Sequence, residues 1–242
     1  MNDYRLLFII PAFLFCCMSC SSKHEKASMN KSLMLAIEKS VVAICHSRPA
    51  LENIVGTGFI ASPEGLVITA DHVIVDELTN DVYKSIFCLR PDHPKVDIYE
   101  LSLVKRFREG IRGRDIAVLR INQKGYAEHF SFIPLGKGCE IGDNIIIAGF
   151  PLVFDKVYTW PLFRRGVIAS TRFHYEDTSI MVLDLGVIEG FSGSPVIDLE
   201  TSKVIGIMRG EGKRVKNSGF SVASSISEND IAQLGSYERK NP

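Results

Sequence analysis

The feature that most constrains the fold is a succession of short apolar or alternating runs that begins at Val41 and is divided by Gly, Pro, Asn and Asp. Runs of about four to eight residues between such turn formers are typical of β-strands. No long amphipathic helical pattern lies between them, as it does in βαβ units. The pattern predicts an all-β chain folded as a sandwich or a barrel. The runs cover residues 41–45, 58–61, 66–69, 85–89, 116–121, 144–148, 166–170, 180–183, 196–197, 204–208 and 219–223.

These runs fall into two groups of about six, joined near residues 122–135, which favours two barrels. We predict an N-terminal barrel over residues 40–126 and a C-terminal barrel over residues 127–242, the latter with a short closing helix at 227–234. Before them, residues 21–39 are predicted to be a polar tether and a short helix that Ser32 caps and that ends near Ser40.

Composition excludes one broad class of function. The chain has 242 residues, 46% of them hydrophobic, so a sizeable core is available. Its 28 basic and 28 acidic residues balance to a formal net charge of +0. We therefore expect no nucleic-acid partner and no binding to a membrane surface through bulk charge.

The N-terminal twenty residues read as a signal peptide. An apolar run follows Arg5, from Leu6 to Met18, and it is shorter than the roughly 20 residues that span a bilayer. Cys20 then follows Ser19 and precedes a polar stretch, which is similar to a bacterial lipoprotein signal, where such a cysteine carries lipid. We expect export to the periplasm or cell envelope. Lipid attachment at Cys20, simple secretion and an uncleaved N-terminal anchor helix stay open as alternatives.

Cysteine usage gives no disulfide framework. Three of the six cysteines lie in the predicted leader, and Cys45, Cys88 and Cys139 remain, an odd number at wide spacings. The part after the leader has no CxxC pair of the kind that binds metal. We predict that these three act as small buried hydrophobic residues, with at most one pair among them.

The strongest chemical motif is Gly190-Phe191-Ser192-Gly193-Ser194-Pro195. Glycines on both sides of Ser192 permit a tight turn that exposes the hydroxyl and aims successive backbone N–H groups at one point. Ser192 is therefore the candidate nucleophile, and the N–H groups of Gly190 and Ser192 are the candidate oxyanion hole. The alternative is an ordinary Gly/Ser turn between strands.

A base and a group to orient it can be assigned in the same way. His72 follows the strand predicted at 66–69, where the scaffold can fix it, and the other five histidines have no comparable context. Asp115 stands immediately before a strongly apolar strand, so its carboxylate is expected to be partly shielded beside an imidazole. Asp71, next to His72, points in another direction and is a poor orienter. The alternatives are a structural histidine and an Asp that caps its strand.

Together, Thr-Ala-x-His at 69–72, Asp-Ile-Ala-Val-Leu at 115–119 and Gly-x-Ser-Gly-x-Pro at 190–195 resemble the chymotrypsin-like (trypsin superfamily) serine proteases, and within them the HtrA/Deg branch. The resemblance covers roughly residues 40–226. Further matching segments are residues 40–44, 56–60, 149–151, 204–207 and 219–222, and Asp184 eight residues before Ser192.

The resemblance implies two perpendicular six-stranded antiparallel β-barrels with the catalytic triad in the cleft between them. It implies hydrolysis of peptide bonds in polypeptide substrates through an acyl-enzyme, with no cofactor and no metal. Ser192 attacks, His72 transfers the proton and Asp115 holds the tautomer. The segment Arg209, Gly210 and Glu211 is implied to pair with substrate backbone, and Gly186, Val187 and Ile188 to line the primary specificity pocket.

Some features depart from the family pattern. Ser194 stands where glycine is usual. The chain ends about fifty residues after Ser192, so the PDZ domains typical of the branch are not expected, and the oligomeric state stays open. The rival function is a catalytically silent binding or chaperone-like envelope lipoprotein of the same fold, although all three triad residues are present.

Overall fold

The structure is a computed structural model that describes residues 31–47, 49–92, 95–107, 114–122, 129–153, 156–157, 160–175, 178–186, 188–210 and 219–238. The chain divides into two compact units, Met1–Leu35 and Ala36–Pro242. Residues 31–40 form helix α1, and at its end the Ser40 hydroxyl donates a 2.7 Å hydrogen bond to the Ala36 carbonyl. The predicted signal peptide, Cys20 and the predicted barrel boundary at 126/127 lie outside the described residues, so these predictions stay open.

No helix in the described part of the chain is long and apolar enough to cross a membrane.

The first barrel is closed, with neighbouring strands antiparallel in the order β1-β2-β3-β6-β5-β4. Its strands are β1 Val41–His46, β2 Ile54–Ile60, β3 Leu66–Thr69, β4 Ile86–Asp92, β5 Lys95–Phe107 and β6 Ile116–Ile121. β3 is buried at every position, which explains why it reads as an unbroken apolar run. Ile44, Ile60 and Leu119 are among the side chains that fill the interior.

The second barrel is also closed and antiparallel, in the order β10-β11-β14-β13-β12-β7. Its strands are β7 Asn144–Gly149, β10 Leu162–Tyr175, β11 Thr178–Asp184, β12 Pro195–Asp198, β13 Lys203–Gly210 and β14 Ser221–Ser225. Leu152–Val153 (β8) and Lys156–Val157 (β9) form a separate two-stranded sheet, and helix α2 covers Glu228–Glu238. Two closed six-stranded barrels and a short C-terminal helix confirm the predicted fold class.

Cys45, Cys88 and Cys139 are free, and Cys45 and Cys88 are buried. These two lie on the paired strands β1 and β4, where Ile44 is opposite Cys88 and Cys45 is opposite Phe87. Because successive side chains of a strand point to opposite faces, the two thiols lie on opposite faces and are not placed for a disulfide. Burial raises the pKa of Cys45 to about 11, so this thiol stays protonated at neutral pH.

Candidate active site

Strand pairing brings the predicted base and its orienter to one edge of the first barrel. β3 pairs with β6 so that Thr69 lies opposite Ala117. His72 follows β3 in a short 3-10 turn, Asp71–Ile74, and Asp115 directly precedes β6. Asp115 has φ = 53°, in the left-handed region that Asp tolerates better than most residues. This conformation ends the loop and begins the strand within one residue.

His72 and Asp115 share three hydrogen bonds. The Asp115 carboxylate lies 2.9 Å (Oδ2) and 3.1 Å (Oδ1) from the Nδ1 of His72, and its Oδ1 accepts from the His72 backbone N–H at 3.0 Å. Because a carboxylate only accepts, the proton of the neutral ring belongs on Nδ1 and the Nε2 lone pair is left free. The His72 side chain is 41% exposed and that of Asp115 is 12% exposed. The carboxylate is therefore shielded, while the ring reaches solvent.

Burial and three charged groups set the pKa of His72. Burial is the largest influence and lowers the pKa, because it disfavours the charged imidazolium. The hydrogen bond to Asp115 and its negative charge raise the pKa, Arg209 lowers it, and Asp71 raises it again. The raising influences prevail, so the pKa of His72 lies above its ordinary value of 6.5.

The second barrel and α2 hold the peptide that carries Asp115. The guanidinium of Arg114 forms a short ion pair with the carboxylate of Asp230, which is buried in α2. The hydroxyl of Ser224 on β14 donates to the Arg114 carbonyl. From β13, the Nε of Arg209 lies 3.5 Å from Asp115 Oδ2. Contacts from β13, β14 and α2 therefore fix the position of the carboxylate.

Asp71 makes a different contact from Asp115. Its buried carboxylate pairs with Arg106 on β5, whose Nε and Nη2 lie 2.5 Å and 2.8 Å from its two oxygens. A two-point Arg–carboxylate pair of this kind fixes orientation as well as distance. It anchors the turn that carries His72 to β5.

The turn that carries Ser192 is held tightly against β2 and β3. Gly193 has φ = 86°, and a Cβ at this position would lie 2.0 Å from the Thr57 carbonyl oxygen and 2.3 Å from Thr69 Oγ1. Only glycine fits there. The Ser192 carbonyl accepts from the Thr57 N–H at 2.8 Å, and the Gly193 N–H donates to the Met208 carbonyl at 2.8 Å.

The end of β13 lies beside Ser192. A Cβ built on Gly210 would lie 3.4 Å from Ser192 Oγ, and the preceding residue, Arg209, reaches Asp115. One strand end thus lies close to the candidate nucleophile and also contacts the carboxylate that holds His72. Within the described part of the chain, the N–H groups of Gly190 and Ser192 donate to no backbone carbonyl.

The structure describes only some of the residues that the family resemblance implies for substrate binding. A Cβ on Gly186 would lie 3.7 Å from the Gly219 carbonyl oxygen, so the two glycines face each other. Ile188 is 44% exposed. Val187 and Glu211 lie outside the described residues. Among the described residues, no three His, Cys, Asp or Glu side chains are grouped so that they could hold a metal ion.

The family model of the trypsin-like peptidase domain matches residues 56–207. That segment includes most of β2, all of β3 to β12 and most of β13, with His72, Asp115 and Ser192. The chain belongs to the trypsin-like peptidase family. The predicted resemblance is thereby confirmed.

Relatives of this trypsin-like peptidase domain are named as HtrA and DegP-like proteins. A probable periplasmic serine endoprotease DegP-like from Brucella suis is 27% identical over 207 residues, which are 80% of this chain and 35% of the relative. The mitochondrial serine protease HTRA2 of Bos taurus is 26% identical over 161 residues, 63% of this chain and 30% of the relative. The chain thus spans about a third of the length of these relatives.

Solved structures show the same fold. The serine endoprotease from Yersinia pestis superimposes with a TM-score of 0.59 at 21% identity, over 83% of this chain and 62% of the other. The MamO protease domain from Magnetospirillum magneticum superimposes with a TM-score of 0.60 at 18% identity, over 82% of this chain and 97% of the other. At such identities the likeness shows the fold alone.

Sequence reasoning missed several residues that support the site of this peptidase domain. Arg106, Arg114 and the side chain of Arg209 were not assigned to it, because charged side chains usually face solvent. For α2, the sequence Ser227-Glu228-Asn229-Asp230 carries the spacing of a helix N-terminal cap, and the Ser227 hydroxyl does bond to Asp230. That spacing could have located the helix start, but it gives no sign of the ion pair with Arg114.

Proposed function

We propose that this trypsin-like peptidase domain is an exported serine endopeptidase with Ser192, His72 and Asp115 as its catalytic triad. The observation that carries the proposal is the pairing of His72 Nδ1 with the shielded Asp115 carboxylate at 2.9 Å. This pairing leaves the Nε2 lone pair of His72 free to act as the base. The glycine-bounded turn of Ser192, and relatives named as serine proteases, agree with it.

In the proposed reaction, Ser192 Oγ attacks the carbonyl carbon of the scissile peptide while His72 Nε2 takes the hydroxyl proton. The N–H groups of Gly190 and Ser192 stabilise the resulting oxyanion. The C–N bond breaks as His72 returns the proton to the leaving amine, and an acyl-enzyme ester remains. Water, activated by the same ring, then attacks the ester, which releases the carboxylic acid and restores Ser192.

The proposed substrate-binding residues fall into two segments, one for the substrate backbone and one for a substrate side chain. The backbone at Arg209 and Gly210, and at Glu211 beyond the described strand end, is proposed to pair with the extended substrate. Gly186, Val187 and Ile188 are proposed to line the pocket for the side chain before the scissile bond.

A fluorophosphonate probe tests the proposal. We expect it to phosphonylate Ser192 and no other serine, because only an activated serine attacks such a probe at a useful rate. Peptide mapping of the labelled protein by mass spectrometry locates the site, and heat-unfolded protein and Ser192→Ala are the controls. A folded wild-type protein that takes up no label would instead support the catalytically silent alternative.

The pH dependence follows from the raised pKa of His72. The base accepts a proton only when neutral, so kcat/KM should fall as the pH drops through the pKa of the ring. Because that pKa is raised, the midpoint of the acid limb is expected above 6.5. The measurement is kcat/KM for a fluorogenic peptide between about pH 5 and 9. A rate that stays constant from about pH 5 to 8 contradicts the role of His72.

For location, we propose export to the periplasm or cell envelope and attachment through lipid on Cys20. The apolar run at 6–18, the Ser19-Cys20 pair and the polar residues that follow support it, as does the periplasmic name of the Brucella relative. Acyl chains hold a protein at a bilayer with about 0.8 kcal/mol per buried CH₂ group. We expect intact-mass analysis of the native envelope fraction to find a diacylglyceryl-modified chain starting at Cys20. A lipid-free chain starting nearby means simple secretion, and full-length protein in the cytosol contradicts export.

A further inference from the structure

Thr57 on β2 joins the two barrels at the turn of the candidate nucleophile. Its side chain is fully buried. The hydroxyl lies 2.7 Å from the carbonyl oxygen of Gly190 and 3.0 Å from the backbone nitrogen of Phe150, which directly follows β7. Because the Phe150 N–H only donates, the hydroxyl accepts there, and its single proton is donated to Gly190. The geometry thus fixes the direction of both hydrogen bonds.

The backbone of Thr57 is fixed by two further bonds. Its N–H donates to the Ser192 carbonyl at 2.8 Å, and its carbonyl accepts from the Thr69 hydroxyl at 2.6 Å. Thr69 ends β3, three residues before His72. One residue therefore holds the carbonyls of both Gly190 and Ser192 and is itself tied to the strand that leads to the base.

The Gly190 peptide needs such a restraint. Gly190 has φ = 96°, a conformation that glycine enters and leaves readily because it lacks a Cβ. The next peptide is held at both ends, since its carbonyl accepts from Thr57 and its N–H, on Phe191, donates to Ile188 at 3.3 Å. The Gly190 N–H lies on the other side of the Gly190 Cα, so once the 190–191 peptide is fixed, only rotation about φ and ψ of Gly190 itself can change its direction relative to that peptide.

We propose that the Thr57 hydroxyl is a positioning group for the oxyanion hole, which it orients through the Gly190 carbonyl. The inference rests on the proposed function, because the Gly190 N–H matters for the rate only if it binds an oxyanion. Thr57 contacts no reacting atom, so its effect should appear in kcat, where the oxyanion develops, rather than in substrate affinity.

The test compares Thr57→Val and Thr57→Ala, which remove the hydroxyl, with Thr57→Ser, which keeps it. Ser62→Ala is the matched control. Ser62 has a buried hydroxyl in the turn after the same strand, and this hydroxyl accepts a local hydrogen bond from the Leu66 backbone N–H. Loss of a donor from an oxyanion hole costs about 10²–10³-fold in kcat, and misorientation of one should approach the lower figure. We expect kcat of Thr57→Val and Thr57→Ala to fall about 10²-fold with KM nearly unchanged. Thr57→Ser and Ser62→Ala should stay within about threefold of the wild type.

A second readout does not depend on activity. We expect hydrogen exchange of the Phe191 amide, followed by NMR in the Ser192→Ala background, to accelerate in Thr57→Val and Thr57→Ala but not in Thr57→Ser. An inactive wild type with this exchange pattern would defeat the proposed function and leave the positioning geometry standing.

Three results would overturn the positioning role. One is a folded Thr57→Val protein with wild-type kcat, and another is a Thr57→Ser protein as impaired as Thr57→Val. The third is failure of both hydroxyl-free variants to fold while Thr57→Ser folds, which would make the hydroxyl a requirement of folding.

Discussion

Replacement of Ser192 by alanine is expected to lower kcat for peptide hydrolysis by a factor on the order of 10⁴–10⁶. The reason is that the nucleophile, the base and its orienter act as one unit, so removal of the nucleophile removes the acyl-enzyme route altogether. Any residual rate would come from the oxyanion donors and substrate binding alone. Initial rates on casein and on a fluorogenic peptide, with protein of verified fold, measure the effect.

Ser194→Ala is the matched control, two residues away in the same turn. The Ser194 hydroxyl is buried and finds no hydrogen-bond partner among the described residues. Its removal relieves an unsatisfied polar group and leaves the Ser194 N–H bond to Phe191 in place. We expect near-wild-type kcat and equal or higher thermal stability. A Ser192→Ala protein that cleaves casein at the wild-type rate would end the assignment of Ser192 as nucleophile.

The clearest strands in the sequence, β3 and β6, are largely buried. Both are mainly apolar runs between turn residues, β6 contains one charged residue, Arg120, and the structure buries every position of β3. The strand β5 (Lys95–Phe107) was missed because one of its faces meets solvent and carries Glu100 and Ser102. Tertiary pairing with β4 and β6, rather than its own apolar pattern, makes this segment a strand.

The same distinction applies to the site. His72, Asp115 and Ser192 could be proposed from sequence because each stands at a strand end or in a glycine-bounded turn, a local signal. The contacts that hold them are long-range. Thr57 and Gly190 are 133 residues apart, and Arg114 and Asp230 are 116 apart. No local periodicity or turn rule connects such positions, so these supporting contacts could be identified only from the three-dimensional structure.

Asp115→Asn is expected to lower kcat on the order of 10⁴-fold while the fold is kept. In the wild type, Oδ1 of Asp115 accepts from the His72 backbone N–H, and Oδ2 accepts from Nδ1. An asparagine amide has one accepting oxygen and one donating NH₂ group, so it satisfies only one of these two donors. The backbone N–H cannot give up its proton, whereas the ring can change tautomer. The amide NH₂ therefore faces Nδ1, the ring proton moves to Nε2, and the base is lost.

Asp71→Asn separates this tautomer effect from a general loss of charge near His72. Asp71 is the neighbouring carboxylate, and its two oxygens pair with Arg106. We expect the Asp71→Asn protein to lose thermal stability, because it weakens a buried ion pair, and to keep kcat within about tenfold of the wild type. Stopped-assay rates and thermal unfolding of both variants give the comparison. Equal losses of kcat in the two variants, or a fully active Asp115→Asn protein, would show that Asp115 does not hold the tautomer of His72.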